Sequence, residues 1–334
     1  MNNKVVLITG GTGSFGKKFI ETILSIYPSV AKIIIYSRDE LKQSELRQKY
    51  PPNDFPQLRF FIGDVRDKDR LKRACEGVDV IIHAAAIKQV DTAEYNPTEC
   101  IRTNIDGAEN VIHGALECGV KDVIALSTDK ACAPINLYGA TKLTSDRLFI
   151  SGNSYSGSHD TIFSVVRYGN VMGSRGSVIP FFMSIAKDGV LPITDNRMTR
   201  FMISLEEGVA LVWHAFDDMK GGEIYVKKIP SMKIIDIALA VDKNVKQEEV
   251  GIRPGEKLHE QMIGQEDALY TYEYHDYYKI LPSINNWSND QKRIGIGTKV
   301  EPDFIYSSDN NKEWMEIAEL KEWIEKNKNK IGNI

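Results

Sequence analysis

The first apolar run of the chain, Val5–Thr9, leads directly into Gly10-Gly11-Thr12-Gly13-Ser14-Phe15-Gly16. The glycines at positions 10, 13 and 16 have the spacing G-x-x-G-x-x-G. Glycine permits a tight turn and a close approach of the backbone to a pyrophosphate, and the helix that follows offers free N–H groups and its dipole to the anion. A plain tight turn would use the same glycines, but the position between strand and helix favours a dinucleotide phosphate site. Its predicted residues are Gly10, Thr12, Gly13, Ser14, Phe15 and Gly16.

Outward from this turn, short apolar runs alternate with amphipathic stretches. The predicted buried strands are Val5–Thr9, Lys32–Ser37, Leu58–Ile62, Val78–His83, Asp122–Ser127 and Ile162–Arg167. The predicted helices are Phe15–Ser25, Glu40–Lys49, Lys68–Cys75, Pro97–Cys118 and Leu137–Ser151. Strands that alternate with helices predict an α/β fold with a doubly wound parallel sheet of the Rossmann type.

The pattern changes after about residue 168, where Gly169–Ser177 is rich in glycine and small polar residues. We therefore predict a dinucleotide-binding Rossmann domain over residues 1–168, which a later segment at about 201–226 rejoins. Residues 169–200 and 227–334 are predicted to form a smaller C-terminal lobe that binds the substrate, with a terminal helix at 313–328. The length of the chain suits about two domains of roughly 150 residues each.

Composition excludes several classes of protein. With 42% apolar and 26% charged residues, the 334-residue chain is not disordered, collagen-like or a coiled coil. A net charge of −4 gives no support for a nucleic-acid or anionic-membrane partner, and no apolar run reaches the roughly 18 residues of a membrane span. The histidines are scattered and no two cysteines form C-x-x-C, which predicts reduced thiols, no metal site and a cytoplasmic location.

The end of the second strand indicates which dinucleotide binds. Ser37 precedes Arg38, and a guanidinium suits a 2′-phosphate, which favours NADP over NAD. In the alternative, Arg38 is a solvated charge and Asp39 is the acid that holds the ribose hydroxyls. After the third strand, Asp64 either accepts from the adenine amino group or is a turn residue resembling a helix N-cap. After the fourth strand, Ala84-Ala85-Ala86 permits either a close backbone approach to the cofactor or close helix–sheet packing.

Two side chains after the predicted fifth strand point to hydride chemistry. Tyr138 and Lys142 lie at i and i+4, on one face of a helix. A phenol has a pKa of about 10, and a neighbouring ammonium together with the positive nicotinamide ring favours the phenolate. The phenolate can take a hydroxyl proton while hydride leaves the same carbon. The pair also occurs by chance on protein surfaces, but its place after the fifth strand favours the catalytic role.

The end of the fifth strand carries more polar groups than simple hydride transfer needs. Thr128 and Tyr138 suffice to hold a substrate oxygen and take its proton, whereas Asp129 and Lys130 add an acid and an amine. An elimination needs such a pair, because a base removes a proton beside a ketone and an acid protonates the departing hydroxyl. The alternative of a loop salt bridge or a cap stays open from the residues alone.

Several motifs together resemble the extended short-chain dehydrogenase/reductase superfamily, in its nucleotide-sugar branch. They are Thr9–Gly16, Gly63–Asp67, His83–Ala86, Thr103-Asn104, Tyr138–Lys142 and Arg167–Asn170. Longer stretches resemble the inverting UDP-N-acetylglucosamine 4,6-dehydratases, NADP enzymes of bacterial surface-glycan and flagellin-glycan pathways of the pseudaminic acid type. These stretches are Tyr36–Glu40, Ser127–Ala131, Arg167–Ser177 and Arg253–Glu260. The resemblance adds Val65, Asn104, Tyr138 and Lys142 to the residues expected to bind the cofactor.

The resemblance implies a dehydration without net redox change. Tyr138 with Lys142 assists hydride removal from carbon 4 of the sugar. Lys130 takes the proton of carbon 5, and Asp129 protonates the hydroxyl that leaves carbon 6. Reprotonation of carbon 5 from the other face gives UDP-2-acetamido-2,6-dideoxy-β-L-arabino-hexos-4-ulose. A lysine that acts as a base at neutral pH needs a lowered pKa, which the nearby nicotinamide charge is expected to cause.

The resemblance also implies a UDP-sugar pocket and a homo-oligomer, either a dimer or a hexamer. The residues expected to line the pocket are Lys88, Asn170, Arg175, Ser177, Thr194, Arg200, Arg253 and Glu256. Arg253 is the expected diphosphate ligand because a guanidinium fork suits phosphate oxygens, whereas Arg200 and Glu256 have the alternative of an inter-lobe ion pair. The pathway and the configuration at carbon 5 stay open because of departures from the pattern of pseudaminic-pathway members, at Gln89, Asp91, Cys132-Ala133-Pro134 and Met202.

Two other functions share part of the pattern. A nucleotide-sugar epimerase has the same glycine turn and a pair like Tyr138 and Lys142, but it does not need Asp129 and Lys130. A cofactor-binding regulator on the same fold typically lacks the tyrosine, which this chain has.

Overall fold

Strands and helices alternate through the first half of the protein, whose computed structural model describes residues 1–157 and 159–332. The strands of this half are β1 (Val5–Thr9), β2 (Lys32–Ser37), β3 (Leu58–Ile62), β4 (Val80–His83), β5 (Asp122–Thr128) and β6 (Ile162–Tyr168). Its helices are α1 (Ser14–Ile26), α2 (Glu40–Lys49), α3 (Lys68–Cys75), α4 (Val90–Tyr95), α5 (Pro97–Ile101), α6 (Gly107–Cys118) and α7 (Leu137–Tyr155).

The second half has shorter elements, and residues 333–334 of the predicted C-terminal lobe lie outside the described residues. The strands are β7 (Asn170–Val171), β8 (Val190–Ile193), β9 (Thr199–Ile203), β10 (Ile224–Lys227), β11 (Ser231–Lys233), β12 (Lys246–Glu249), β13 (Gln261–Ile263), β14 (Thr271–Glu273), β15 (Tyr277–Ile280), β16 (Thr298–Lys299) and β17 (Tyr306–Ser307). The helices are α8 (Val178–Ile185), α9 (Leu205–Asp218), α10 (Ile234–Val241), α11 (Gln265–Ala268), α12 (Gln291–Ile294) and α13 (Ile317–Asn327).

One large sheet is the frame of the described chain. Its order is β16-β14-β15-β10-β6-β5-β4-β1-β2-β3, and the strands from β10 to β3 in this order all pair in parallel. The strand order reverses between β1 and β4, which is where doubly wound sheets open a ligand crevice at the carboxyl ends of their strands. The predicted α/β class and doubly wound parallel sheet are confirmed.

Local sequence explains the central elements. Ile8 in β1 is fully buried and lies in register with Ile35 of β2 and Ile82 of β4, because a strand covered on both faces is apolar throughout. Polar side chains start the helices: Asp39 accepts a hydrogen bond from the backbone of α2, and Asp67 does the same for α3.

Two of the differences from the predicted elements change the architecture. The predicted helix Pro97–Cys118 is divided into α5 and α6 by a π-helical turn over Arg102–Asp106, which directs Thr103 and Asn104 inward. In addition, β14, β15 and β16 extend the main sheet antiparallel, although they come from the segment expected in the second lobe. The aromatic side chains of Tyr272 and Tyr278 are buried on these strands, which explains why the segment packs against the sheet.

A second apolar core lies apart from the core of the main sheet. It combines side chains of α8, β8, β9, α10 and α13, including Phe182, Leu191, Ile237 and Leu320. The later segment that includes α9 and β10 lies with the main sheet instead, since α9 packs on α1 and β10 pairs with β6. The helices of the described chain include none that is both long and apolar enough to span a membrane.

Candidate active site

The glycine turn after β1 packs tightly against the chain after β4. Gly10 has φ +66°, and a Cβ there would lie 2.8 Å from the backbone nitrogen of Ala85. A Cβ at Gly16 would lie 2.5 Å from Gly11, so α1 can approach the turn only without side chains at these positions. Gly13 forms the start of α1, whose first turn has no acidic residue. The positive end of the helix therefore faces the cleft and fits a pyrophosphate.

The end of β2 combines hydroxyl and cationic groups. The Thr12 and Ser37 hydroxyls are 2.8 Å apart, and the Arg38 side chain is 60% exposed to the cleft. The Asp39 carboxylate accepts from the Lys42 backbone nitrogen at 3.0 Å and pairs with the Lys42 ammonium at 2.7 Å. These hydrogen bonds from Lys42 hold the pKa of Asp39 below its usual value. Asp39 is thus the N-cap of α2, which weakens the alternative in which its carboxylate holds the ribose hydroxyls.

Asp64 has the contacts of a turn residue and also lines the cleft. Its carboxylate accepts hydrogen bonds from the backbone and guanidinium of Arg66 at 2.7–3.0 Å, as a turn residue does. It also lines the cleft and lies 3.6 Å from Arg38. Although burial opposes ionisation, the hydrogen bonds from Arg66 lower the pKa of Asp64. The ionised carboxylate is therefore available in the cleft as a hydrogen-bond acceptor.

Two predicted binding residues do not line the cleft. Asn104 is 2% exposed, and its amide accepts from the Ile87 nitrogen at 2.9 Å and donates to the Ile87 carbonyl at 3.0 Å. These hydrogen bonds hold the loop after β4 in place, and the predicted contact of Asn104 with the cofactor stays a prediction. Thr194 is also buried, just after β8 in the second core. Its predicted contact with the sugar stays a prediction.

The helix α7 presents Tyr138 and Lys142 below the end of β5. Asn136 caps the helix by accepting from the Gly139 nitrogen at 2.7 Å, and it donates to the Gly255 carbonyl at 2.7 Å. Lys142 donates to the Leu126 carbonyl at 2.7 Å, and its burial lowers its pKa. These contacts fix the direction of α7 relative to β5 and to the loop at 253–260.

Burial and a nearby ammonium act in opposite directions on Tyr138. Burial raises the pKa of the phenol to about 12, while the charge of Lys130 and a hydrogen bond with Thr128 act to lower it. The ammonium that favours phenolate is thus that of Lys130, whereas the sequence pattern assigned this effect to Lys142. With a pKa of about 12, the phenol is protonated at neutral pH.

Lys130 lies between two buried carboxylates. Its Nζ is 3.2 Å from Asp129 Oδ1 and 2.9 Å from Glu260 Oε1, and both carboxyls are 1% exposed. Burial alone would lower the pKa of Lys130, but the two carboxylates outweigh burial and raise it. The lowering expected from a bound nicotinamide would have to overcome both carboxylates, of which Glu260 was not foreseen as a partner. Burial, aided by the charge of Glu260, raises the pKa of Asp129 despite Lys130, so Asp129 can hold a proton.

An ion-pair network lies beneath this cluster. Asp146 on α7 accepts from the Ser127 hydroxyl at 2.7 Å and pairs with Arg167 at 3.3 Å. Arg167 also pairs with Asp267 at 3.2 Å and donates to the Met262 carbonyl at 2.8 Å. The network therefore ties β5, β6, α7 and α11 together directly below the proposed reacting groups.

The opposite wall of the cleft comes from the second half of the chain. Arg200 pairs with Glu256 at 3.3 Å, and Glu256 lies 3.7 Å from Arg253. The ion-pair alternative for Arg200 and Glu256 is therefore present, while both residues also line the cleft. Lys88 donates to the Arg175 carbonyl at 3.4 Å, which brings the loop after β4 to the loop before α8.

Both walls enclose a cleft of about 1510 Å³, which exceeds the roughly 300–1,000 Å³ of a pocket for one small ligand. Most of the predicted site residues line this cleft. The predicted residues on the cofactor side are Gly10, Thr12, Gly13, Ser14, Phe15, Gly16, Ser37, Arg38, Asp64, Val65, Ala84, Ala85, Ala86, Tyr138 and Lys142. Those on the reacting and sugar side are Thr128, Asp129, Lys130, Lys88, Asn170, Arg175, Ser177, Arg200, Arg253 and Glu256.

The family model for polysaccharide biosynthesis proteins matches residues 6–282. The chain belongs to this family. A UDP-N-acetylglucosamine 4,6-dehydratase (inverting) from Campylobacter jejuni is 56% identical over 330 residues, which are 97% of this chain and 98% of that protein. A UDP-glucose 4-epimerase from Rickettsia conorii is 41% identical over 327 residues, 96% of this chain and 95% of the relative. The X-ray structure of Pen from Bacillus thuringiensis has a TM-score of 0.89 at 35% identity and covers 98% of both chains.

The prediction that the chain is an enzyme is confirmed by these curated relatives. The predicted resemblance to the inverting UDP-N-acetylglucosamine 4,6-dehydratases, which are hydro-lyases, is confirmed by the Campylobacter relative. Within the described residues, no group of His, Cys, Asp and Glu is arranged to hold a metal ion.

Sequence reasoning missed Glu260 as a site residue of this family member. The residue ends the quoted stretch Arg253–Glu260, yet it is 130 positions after Lys130 and no local pattern relates the two. Asp146 and Arg167 were also not assigned roles. Asp146 could have been found from its i+4 spacing to Lys142 on α7, which places both on one helix face.

Proposed function

We propose that the protein dehydrates UDP-N-acetylglucosamine across carbons 4 and 6, with inversion at carbon 5, using NADP. The observation that carries the proposal is the position of Lys130 between the carboxylates of Asp129 and Glu260, in the same cleft as Tyr138. Hydride transfer alone needs no such acid–base cluster, whereas elimination of a hydroxyl does. The name of the Campylobacter relative, 56% identical over nearly its whole length, supports the same reaction.

The residues around Tyr138 suit removal of the carbon 4 hydroxyl proton. When bound, the nicotinamide cofactor accepts a hydride from carbon 4 and later returns it to carbon 6. Thr128 hydrogen-bonds Tyr138, so it can position both the phenol and the substrate oxygen. Lys142 lies four residues after Tyr138 on α7 and is held by the Leu126 carbonyl. Tyr138, as the phenolate that the positive nicotinamide ring would favour, then takes the hydroxyl proton as the carbonyl forms.

The residues at the end of β5 suit the elimination that follows. Lys130, as the free amine, takes the proton of carbon 5, which the carbon 4 ketone has made acidic. Asp129 gives its proton to the carbon 6 hydroxyl, which leaves as water. The Oδ2 atom of Asp129 is buried and accepts no hydrogen bond from the described residues, which fits a carboxyl that carries a proton for the substrate.

The opposite wall suits the UDP-sugar. The Arg253 side chain is 60% exposed at the mouth of the cleft, where its guanidinium can bind the diphosphate. Deeper in the cleft, the buried Asn170 Oδ1 has no hydrogen-bond partner among the described residues, so it is available to a sugar hydroxyl or amide. Arg200 adds a cation on this wall, and Lys88 adds one from the loop after β4.

Arg38 supports NADP as the cofactor. Replacing Arg38 by Ala removes a charge-assisted contact with the 2′-phosphate, worth about 1.5–3 kcal/mol. We expect the affinity for NADP to fall roughly 10- to 100-fold while the affinity for NAD changes little. Titration of the cofactor-free protein with each dinucleotide measures the ratio, and Arg59→Ala, an exposed arginine outside the cleft, is the matched control. Equal losses for NADP and NAD would contradict the assignment of Arg38.

Dehydration and epimerisation are separated by one experiment. Incubation with UDP-N-acetylglucosamine in heavy water should give, by NMR, loss of the carbon 6 hydroxyl, a new methyl signal and deuterium at carbon 5. Lys130→Ala should abolish the methyl signal while NADP stays bound. A product that differs from the substrate only in ring configuration would replace the proposal by the epimerase activity, which the name of the Rickettsia relative favours.

The resemblance also supports the remaining parts of the proposal. The product would serve bacterial surface-glycan or flagellin-glycan synthesis of the pseudaminic acid type, in the cytoplasm, and the enzyme would act as a homo-oligomer, a dimer or a hexamer. Gln89 and Asp91 at the cleft depart from that pathway's pattern. The NMR coupling constants of the product at carbon 5 test the L-arabino configuration directly, and light scattering tests the oligomer.

A further inference from the structure

Glu260 faces Lys130 from the far wall of the cleft. Its Oε1 lies 2.9 Å from Lys130 Nζ, which is shorter than the 3.2 Å from Nζ to Asp129 Oδ1. The residue is 1% exposed, and its Oε2 is buried without a hydrogen-bond partner among the described residues. Its backbone is fixed, because its nitrogen donates to the Ser308 hydroxyl at 2.9 Å. The carboxylate is therefore held against the lysine and has one oxygen free to take a proton.

The charges around Lys130 favour the ammonium in the resting enzyme. Asp129 and Glu260 stabilise it, while Arg200 opposes it, and Tyr138 lies close enough to feel its charge. Around Glu260, the charges of Lys130, Arg200 and Lys257 outweigh burial and lower the pKa of its carboxyl, so the resting pair is an ammonium and a carboxylate. An ammonium has no lone pair and cannot remove the carbon 5 proton. The proposed dehydration therefore needs a group that takes a proton from Lys130 before elimination.

We propose that Glu260 is this acceptor, so that a buried carboxylate turns Lys130 into the free amine that acts on carbon 5. The inference rests on the proposed function. One proton moves from Lys130 Nζ to Glu260, and an ammonium–carboxylate pair becomes an amine–carboxylic acid pair of the same net charge. Glu260 does not touch the reacting carbons. It acts through Lys130, whose protonation state it sets, and is therefore a positioning residue.

The proton count closes over one turnover. The amine takes the carbon 5 proton and becomes ammonium, the C–H electrons form the carbon–carbon double bond, and the carbon 6 hydroxyl leaves with the proton of Asp129 as water. Carbon 5 regains one proton, and this balances the one proton that Tyr138 took from the carbon 4 hydroxyl. Lys130, within hydrogen-bond reach of both carboxyls, then passes a proton to Asp129 and takes one from Glu260. Each group regains its starting state.

The test compares Glu260→Gln with Glu260→Asp in the NADP-loaded enzyme during a single turnover of UDP-N-acetylglucosamine. Glutamine can still accept a hydrogen bond from Lys130 but is not a base. We expect the methyl product to form at least about 100-fold more slowly, since general base catalysis contributes roughly 10²–10⁴-fold. The near-ultraviolet absorbance of the reduced nicotinamide should accumulate, because oxidation at carbon 4 still occurs. Aspartate should restore part of the rate, and the exposed Glu266→Gln should match the unmodified enzyme.

Two results would overturn the role of Glu260. One is methyl product from Glu260→Gln at the unmodified rate. The other is loss of cofactor reduction together with loss of product, which would mean that the residue supports the fold or binding. Failure of the proposed function is a separate result, since the unmodified enzyme would then give no methyl signal and Lys130→Ala would change nothing.

Discussion

Burial sets the charge of single side chains beneath the cleft. His83, at the end of β4, is 1% exposed, and its Nδ1 lies 2.8 Å from the Thr9 hydroxyl. Burial, with a contribution from the charge of Lys142, lowers the pKa of His83 to about 3. The imidazole is therefore neutral in the folded protein at any pH where the enzyme would work, and it packs on Phe149 as an uncharged ring.

The lowered pKa of His83 predicts a pH dependence of stability. Below a pH of about 6.5 the unfolded chain binds a proton at this histidine and the folded chain does not, so the free energy of unfolding falls as the pH falls. Between pH 7 and pH 5 this contribution amounts to about 2 kcal/mol. Chemical denaturation at pH 7 and at pH 5 measures the change. We expect the free energy of unfolding to fall by this amount more in the unmodified protein than in His83→Gln. Parallel pH dependences of the two proteins would contradict the buried neutral histidine.

At the scale of elements, α7 connects the two walls of the cleft. The Asn136 side chain closes the first turn of the helix and also holds the Gly255 carbonyl. Gly255 belongs to the loop that carries Arg253 and Glu256 and leads to Glu260. The helix that presents Tyr138 and the loop that approaches the sugar are therefore positioned by one amide.

Asn136→Ala should affect both stability and turnover. Loss of the cap costs about 1 kcal/mol of unfolding free energy, and the loop at 253–260 loses its attachment to α7. We expect the KM for the UDP-sugar to rise several-fold, measured by steady-state kinetics. Asp67→Ala is the matched control, because Asp67 caps α3 in the same way but lies outside the cleft lining. A similar rise in KM for the control would show that helix capping alone, without the loop contact, causes the effect.

The elements of the first half could be predicted because each is defined by local pattern. β1, β2 and β3 have the predicted bounds, since their apolar runs end at polar or glycine residues. The π-helical turn over Arg102–Asp106 could not be predicted, because it depends on Asn104 reaching Ile87 across the fold. For the same reason the motif around Lys130 predicted the acid–base pair but not its third member, Glu260, which arrives from a distant loop.

For the whole molecule, two apolar cores support different parts of the cleft. The core of the main sheet supports the turn, the end of β2 and α7, whereas the second core supports the strand that carries Arg200 and the helix that follows Ser177. The sequence does not predict the extension of the sheet by β14, β15 and β16. These strands are only two to four residues long, and they pair antiparallel with one another. The cleft lies where the two bodies meet, so each ligand depends mainly on one of them.

Matched cavity substitutions test this division. Leu320 in α13 and Leu71 in α3 are both fully buried, one in each core, and either change to Ala costs about 2–5 kcal/mol of stability. We expect Leu320→Ala to weaken binding of UDP, measured by calorimetry, with little change in NADP affinity. Leu71→Ala should weaken NADP binding and spare UDP, because α3 follows directly after the loop that carries Asp64 and Val65. Equal losses of both ligands in both variants would mean that the two cores unfold as one unit and share both sites.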